Sequence, residues 1–390
     1  MKGLYLIGII ITILYDFIKN KKEISPLCCF IGPYAIIIIF SYFLKLQNLI
    51  SENYIKHIFE VAILWLIISR IIIIIFSKNK ISKKITKKKK YSKKIYYLSL
   101  LTIFSLSMLQ LLTGLKYGFL SIKGKHYGIF AHLYNLTSTF YLAYFLEFLN
   151  KKTFIKMIVI IFFSFLCVLG SKLEAFIIFV PLFIYYYEKR QKNILLLVYL
   201  FVFSMGIFYI SYFIKFHIKE GFSIIEFHQI IKEYYKIYLF SPLIIGSKLL
   251  EEPINPNGIN VTFSYLINSF NFLFEKNFVS PVLNFYVIAG IRSNVGGMIA
   301  EVFYNLGIIF GWIYIIIIGF FSYFIQELYK KNENWFCLYY YMKGILVLCF
   351  FNNVFSLLTY NEKLFGSFII SLILIKIKKI GAIYDIYTSP

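Results

Sequence analysis

Residues 58–94 read IFEVAILWLIISRIIIIIF followed by SKNKISKKITKKKKYSKK: nineteen mostly apolar residues, then a tail holding ten lysines. The first half is long enough to cross a hydrocarbon core, which takes about 20 residues at ~1.5 Å rise each. The lysine-rich half cannot enter that core, and such clusters stay on the cytoplasmic side. The same alternation runs along the whole chain. Apolar runs fall at roughly 3–18, 26–44, 58–76, 95–115, 128–149, 153–170, 173–188, 193–214, 296–326, 335–357 and 364–377. Taken together they predict an all-α, polytopic membrane protein of about 11 transmembrane helices.

Composition points the same way. Of the 390 residues 60% are hydrophobic, and the mean hydropathy is +0.75. In water such a chain would expose large apolar patches. Backbone inside a bilayer must satisfy its own hydrogen bonds, which leaves helices or closed barrels. The apolar runs are much longer than barrel strands, so helices are expected. The formal charge of +23 raises nucleic-acid binding as an alternative. Its distribution excludes it, because the lysines gather at the ends of apolar runs. Much of the lysine count also follows the Ile-, Asn-, Phe- and Tyr-rich bias of an AT-rich genome.

The ten-lysine cluster anchors the topology on the cytoplasmic side. Lys19/Lys21/Lys22, Lys151/Lys152, Lys189/Arg190/Lys192, Lys330/Lys331 and Lys376/Lys378/Lys379 then fall on that side too. The N-terminus is expected outside and the C-terminus in the cytoplasm. Lys2 and the run Leu4–Leu14 imitate a signal peptide, but Asp16 and the missing small-residue cleavage site favour a retained first span. Three parts result: a bundle of about eight spans over 1–214, a large external loop over 215–291, and a bundle of about three spans over 292–390. No internal repeat is evident, and only Pro181 is read as a strong interruption within a span. Cys28, Cys29, Cys167, Cys337 and Cys349 lie in or beside apolar runs without metal-ligand spacing, and imply no disulfide framework.

The external interval has structure of its own. Ser223-Ile224-Ile225-Glu226 fits a capping box. Phe227, Ile230, Ile231, Tyr234, Tyr238 and Leu239 follow at helical spacing, with Lys232, Glu233 and Lys236 on another face. This predicts an amphipathic helix at the membrane interface. Glu251 to Gly258 reads as a turn, and Phe263, Leu266, Ile267, Phe270 and Phe274 suggest a second interfacial helix.

The most pointed local stretch is Ala289-Gly290-Ile291-Arg292-Ser293-Asn294-Val295-Gly296-Gly297, leading into Met298–Gly307. Ser293 or Asn294 is expected to cap a helix and to leave free N–H groups facing outward. With Arg292 alongside, such a terminus suits a phosphate. Arg292 is one of only three arginines, with Arg70 and Arg190. It is read either as the grip on a diphosphate or as an interfacial anchor. Glu301, just inside the span, is open to three readings: catalytic base, acceptor for a substrate hydroxyl, or structural partner of Arg292. Gly170-Ser171-Lys172-Leu173-Glu174 forms a second external candidate, where Lys172 binds phosphate or pairs with Glu174. Arg70, deep in span three, snorkels or pairs with an acid. His217 and His228 lie on the interval and titrate near neutrality or serve as surface residues. Gly307, Gly311 and Gly319 mark a packing face. The sequence holds no P-loop, nucleophile elbow or zinc motif.

The stretch Gly296-Gly297, Glu301, Asn305 and Gly307, followed by Gly311, resembles the O-antigen and capsule polysaccharide polymerases, the Wzy family. Gly170-Ser171-Lys172 resembles that family's Gly-x-Arg hairpin, with Lys172 where arginine is usual, which weakens bidentate phosphate recognition there. The large external loop also matches, so the layout covers essentially the whole chain. The resemblance implies glycosyl transfer at the outer face of the bacterial cytoplasmic membrane. A growing glycan on undecaprenyl diphosphate would be the donor and one lipid-linked repeat unit the acceptor. Arg292, Lys172, Ser293, Asn294, Gly296 and Gly297 would bind the diphosphate, while Glu301, Glu174 and His217 are candidates for a general base. Expected partners are lipid-linked glycans, membrane lipids and a chain-length regulator; no nucleic acid, metal or cofactor is expected. An O-antigen ligase shares this architecture. A lipid-linked oligosaccharide flippase is the alternative of another class, and a membrane O-acyltransferase would need a histidine deep in a span.

Overall fold

The computed structural model describes residues 1–20, 23–77, 221–273, 286–288, 291–293 and 295–387, with isolated positions between 139 and 217. Spans expected over 95–115, 128–149, 153–170 and most of 173–188 and 193–214 lie outside the described residues, as does the ten-lysine cluster.

The described chain is almost entirely helical. α1 (Lys2–Lys19), α2 (Pro26–Phe43) and α3 (Glu52–Ser77) open it; α4 (Ile224–Leu249), α5 (Gly258–Thr262) and α6 (Ser264–Leu273) follow in the interval. A short antiparallel pair, β1 (Tyr286–Ile288) and β2 (Ile291–Ser293), precedes α7 (Met298–Lys331), α8 (Phe336–Leu348) and α9 (Leu358–Tyr387). The strand pair is a small departure from the all-helical expectation. Among the described residues three helices are long and apolar enough to cross a membrane: Pro26–Phe43, Glu52–Phe76 and Met298–Lys331.

Local sequence explains the helix starts. Ser25 accepts the Cys28 N–H at 3.1 Å, and Pro26 occupies the first turn of α2, where no N–H is needed. Ser51 accepts the Tyr54 N–H at 3.2 Å and starts α3. α1 and α3 run in the same direction: Tyr5 lies against Phe59, and Asp16 lies 3.5 Å from Arg70. α2 runs back and packs against both.

The outer faces carry the membrane signature. Leu4, Ile7, Ile11, Leu14 and Ile18 form an exposed stripe along α1, and Ile63, Ile67, Ile71 and Ile74 form another on α3. Spacing of three and four places each set on one helix face. Stripes of this kind need lipid, so the protein is a membrane-embedded helical protein.

Two interruptions were not expected. α7 breaks at Gly307, whose φ of 73° and ψ of 174° suit glycine alone. A half-helix, Met298–Leu306, therefore precedes the 24 residues from Ile308 to Lys331, which reach about 36 Å. Phe303 lies against Gly311, so the half-helix folds back across the top of the longer piece. The second interruption is in span ten. α8 stops at Leu348, and Cys349–Leu357 forms a turn with the 3₁₀ segment Val354–Ser356. Both correct the reading that Pro181 alone interrupts a span. Gly311 and Gly319 do act in packing: Gly311 meets Phe303 and Gly319 meets the Trp65 indole.

Candidate functional site

The half-helix Met298–Leu306 begins at Gly297, not at Ser293 or Asn294. Gly297 is the N-cap with φ 73° and no side-chain cap. A Cβ there would lie 3.0 Å from both the Tyr34 and Tyr54 hydroxyls, so glycine is required by space as well as by backbone. Ser293 instead ends β2, pairing with Tyr286, and its buried hydroxyl makes no hydrogen bond.

The expected row of free N–H groups is absent at this terminus. Gly297 N–H donates to Phe351 O at 3.3 Å, and Met298 N–H donates to Cys349 O at 2.9 Å. The Tyr34 hydroxyl donates to the same Cys349 O at 3.2 Å, so the side chain lies over this terminus. A helix start buried in apolar surroundings needs such partners, and the turn after α8 supplies them. That turn is bracketed by Glu301. Its Oε2 accepts the Asn353 N–H at 2.8 Å and its Oε1 accepts the Gly296 N–H at 3.2 Å. The Asn352 side-chain amide, oriented with its nitrogen toward the carboxylate, donates to Oε2 at 2.8 Å. All three of these contacts are donors, and the residue is 2% exposed. The partners among the described side chains and backbone are Gly296, Asn352 and Asn353.

The far end of the half-helix is closed by the interval. Asn255 N–H donates to Tyr304 O at 2.9 Å, and Asn255 Nδ2 donates to Asn305 Oδ1 at 2.9 Å. Gly258 is pressed against the Asn305 backbone, and Ile254 sits over Gly307. The stretch Glu251–Gly258, read as a turn, serves here as a cap for the broken helix.

The interval also docks at this end. Ser223 and Glu226 form the expected capping box at the start of α4. Their hydrogen bonds hold the Glu226 carboxyl below the usual carboxylate range. The first part of α4 packs Phe227 and Ile231 against Tyr212 and Phe216, in a cluster separate from the main core. The last part, Phe240–Leu249, is buried in the main core. Ser247 Oγ accepts the Ser51 N–H at 2.8 Å, and Gly246 lies against Tyr54 and Gly296 O. Both β-strands contact α4.

The candidate residues therefore divide. Gly296, Gly297 and Glu301 lie together at one end of the bundle. Arg292 stands in β2 opposite Val287, beside α4. His217 belongs to the separate cluster, with Nδ1 donating to Phe222 O at 2.6 Å and its ring on Phe213. His228 meets Tyr209. Asn294, and Lys172 with Glu174 on the other hairpin, lie outside the described residues. Sequence reading missed Tyr34, Tyr54, Asn255, Asn352 and Asn353. The Asn352-Asn353 pair inside an apolar run was the available signal, since asparagine favours turns over helix interiors.

No known protein family, curated protein or solved structure matches this chain.

Proposed function

We propose that the chain is a membrane glycosyltransferase that polymerises undecaprenyl-diphosphate-linked oligosaccharide repeat units into surface polysaccharide. The reaction takes place at the outer face of a bacterial cytoplasmic membrane. In this reading the chain has about 11 spans, with the N-terminus outside, the C-terminus inside and the 215–291 interval external. The observation that supports it is convergence: α4, the Arg292 strand pair, the Gly296–Glu301 stretch and the turn after α8 meet at one end of the bundle.

The acceptor hydroxyl attacks the anomeric carbon of the donor glycan. The new glycosidic bond forms as the bond to the lipid diphosphate breaks, and the diphosphate leaves with the electron pair. The hydroxyl proton passes to a general base, for which Glu174 and His217 are the candidates. Arg292 and Lys172 stabilise the departing charge. Glu301, enclosed by donors, positions the half-helix and the Asn352–Asn353 turn rather than touching substrate.

Deleting the gene and resolving surface glycans on a gel tests the reading. A polymerase mutant leaves at most one repeat unit on the acceptor. A ligase mutant leaves long chains on undecaprenyl diphosphate and none on the lipid core. An unchanged ladder removes both. Arg292→Ala at normal protein level should abolish the ladder; a retained ladder makes Arg292 an anchor. The break at Gly307 favours one second reading, the flippase, because transporters place substrates at discontinuous helices. Loss of lipid-linked units from the outer face in the deletion strain would select it.

A further inference from the structure

At the end of the bundle where Asp16 meets Arg70, one aromatic ring carries two cations. Arg70 Cζ lies 5.3 Å from the centroid of the Tyr15 ring, and Lys19 Nζ lies 5.7 Å from it. Each cation is attracted by the ring. One anionic group beside Tyr15 is therefore within reach of both.

All three side chains have an accessible surface. Tyr15 is 46% exposed, and Lys19 is exposed. Arg70 turns two sides to its surroundings. Its Nη2 lies 3.5 Å from Asp16 Oδ1, and Asp16 is fully buried. Nε and Nη2 are buried as well, yet the Arg70 side chain is 31% exposed, so Nη1 is the polar atom that it turns outward. Neither Nη1 nor Lys19 Nζ meets an acceptor among the described residues. Asp16 thus neutralises the inner side of Arg70 and leaves the outer side cationic.

The cations continue the lipid-facing rows. Tyr15 and Lys19 extend Ile11, Leu14 and Ile18 on α1, and Arg70 stands among Ile63, Ile67 and Ile74 on α3. α1 and α3 pack side by side, so two apolar rows flank one seam that ends in two cations. Tyr15 precedes the end of α1 by about 6 Å. Tyrosine and snorkelling lysine or arginine collect at this level of a bilayer. A phospholipid fits the profile, with acyl chains for the rows and a phosphate for the cations. A free phosphate would leave the rows unused, and a zwitterionic headgroup brings a cation of its own. Basic pockets between spans select anionic lipids for this reason.

We propose that Tyr15, Lys19 and Arg70 form a binding site for one anionic phospholipid at the α1–α3 seam. Its phosphate lies between Lys19 Nζ and Arg70 Nη1, and its acyl chains lie along the two apolar rows. The site is independent of the polymerase reading; only its leaflet, the cytoplasmic one, follows from the expected topology.

The test uses the full chain, purified and delipidated in detergent. Phosphatidylglycerol or phosphatidylcholine is added, and bound lipid is counted by native mass spectrometry. The wild type should prefer phosphatidylglycerol. Lys19→Gln should weaken that binding about fivefold, the contribution of one basic side chain near an anionic surface. Lys19 is exposed, so this variant folds without repacking. Arg70→Lys keeps a charge opposite Asp16 but loses Nη1, and should weaken binding by a similar factor. Lys331→Gln is the control. It removes one charge at the same end of the bundle, from a lysine that lies 4.4 Å from the Phe76 ring instead, and should leave the affinity unchanged. Equal affinity of the wild type for the two lipids, or unchanged affinity in Lys19→Gln, would overturn the site. An equal loss in Lys331→Gln would also overturn it, by assigning the binding to diffuse surface charge.

Discussion

At one end of the bundle Glu301 is enclosed by donors from Gly296, Asn352 and Asn353. At the other end acids meet bases: Glu188 lies 2.6 Å from Lys343, and Asp16 lies 3.5 Å from Arg70. Glu188 also accepts the Ile24 N–H at 2.9 Å, and Asn20 joins Asp16 to Gln326. The first end satisfies its acid with irregular backbone, which is tolerated at membrane depth only where protein or a cavity surrounds it. The second satisfies its acids with countercharges on neighbouring helices, which tie the spans together. An end built on a broken helix and a turn has alternative arrangements open to it. An end built on buried ion pairs does not, because separating them leaves bare charges in an apolar medium. The comparison leaves rearrangement open at the Glu301 end and makes the Glu188 end the fixed frame.

The largest effect expected from this contrast is at Lys343. Lys343→Met strands Glu188 and should cost about 3–5 kcal/mol, read by unfolding in detergent. The double variant Lys343→Met, Glu188→Met should recover most of that loss. Glu301→Gln keeps the shape and one acceptor, so it should cost less, about 1–3 kcal/mol. A larger loss in Glu301→Gln than in Lys343→Met would reverse the roles assigned to the two ends. Gly307→Ala forces a side chain into a glycine-only conformation and should cost about 1–3 kcal/mol. Its unfolding would match wild type if α7 were continuous. Asn255→Ala removes one hydrogen bond to Asn305 and should cost about 1 kcal/mol, with faster amide exchange at Asn305–Gly307 as the local readout.

The smallest effect concerns pH. The folded-state pKa of Glu226 is depressed by Ser223. The capping box therefore supports α4 fully above the unfolded carboxyl value of about 4.3, and that support fades as pH falls through the lower folded value. Amide exchange in the first turn of α4 should quicken below about pH 4. The same acceleration in Glu226→Gln would assign it to another group.

Much of this was legible beforehand, and for local reasons. Hydrophobic run length predicted helices at α1, α2, α3 and α7. The pattern Ser223-x-x-Glu226 predicted its own capping box, because both partners lie within one turn. Arg70 was expected to snorkel or find an acid, and Asp16 is that acid. The readings that changed all depended on distant partners. Ser293 and Asn294 were plausible caps by residue type, yet Gly297 starts the helix because Cys349 O and Phe351 O are positioned to receive its first N–H groups. Gly307 read as one small residue among three on a packing face; what makes it a break is the capping by Asn255, fifty positions earlier in the chain.

The amino-acid order alone determined that the protein is helical and embedded in a membrane, because apolar run length and lysine placement act within single segments. Where α7 breaks, where α8 stops and what surrounds Glu301 were decided only by tertiary structure. A buried N–H or carboxylate must find a partner in space, and here the partner to Glu301 comes from a turn some fifty residues away, beyond the reach of any local pattern.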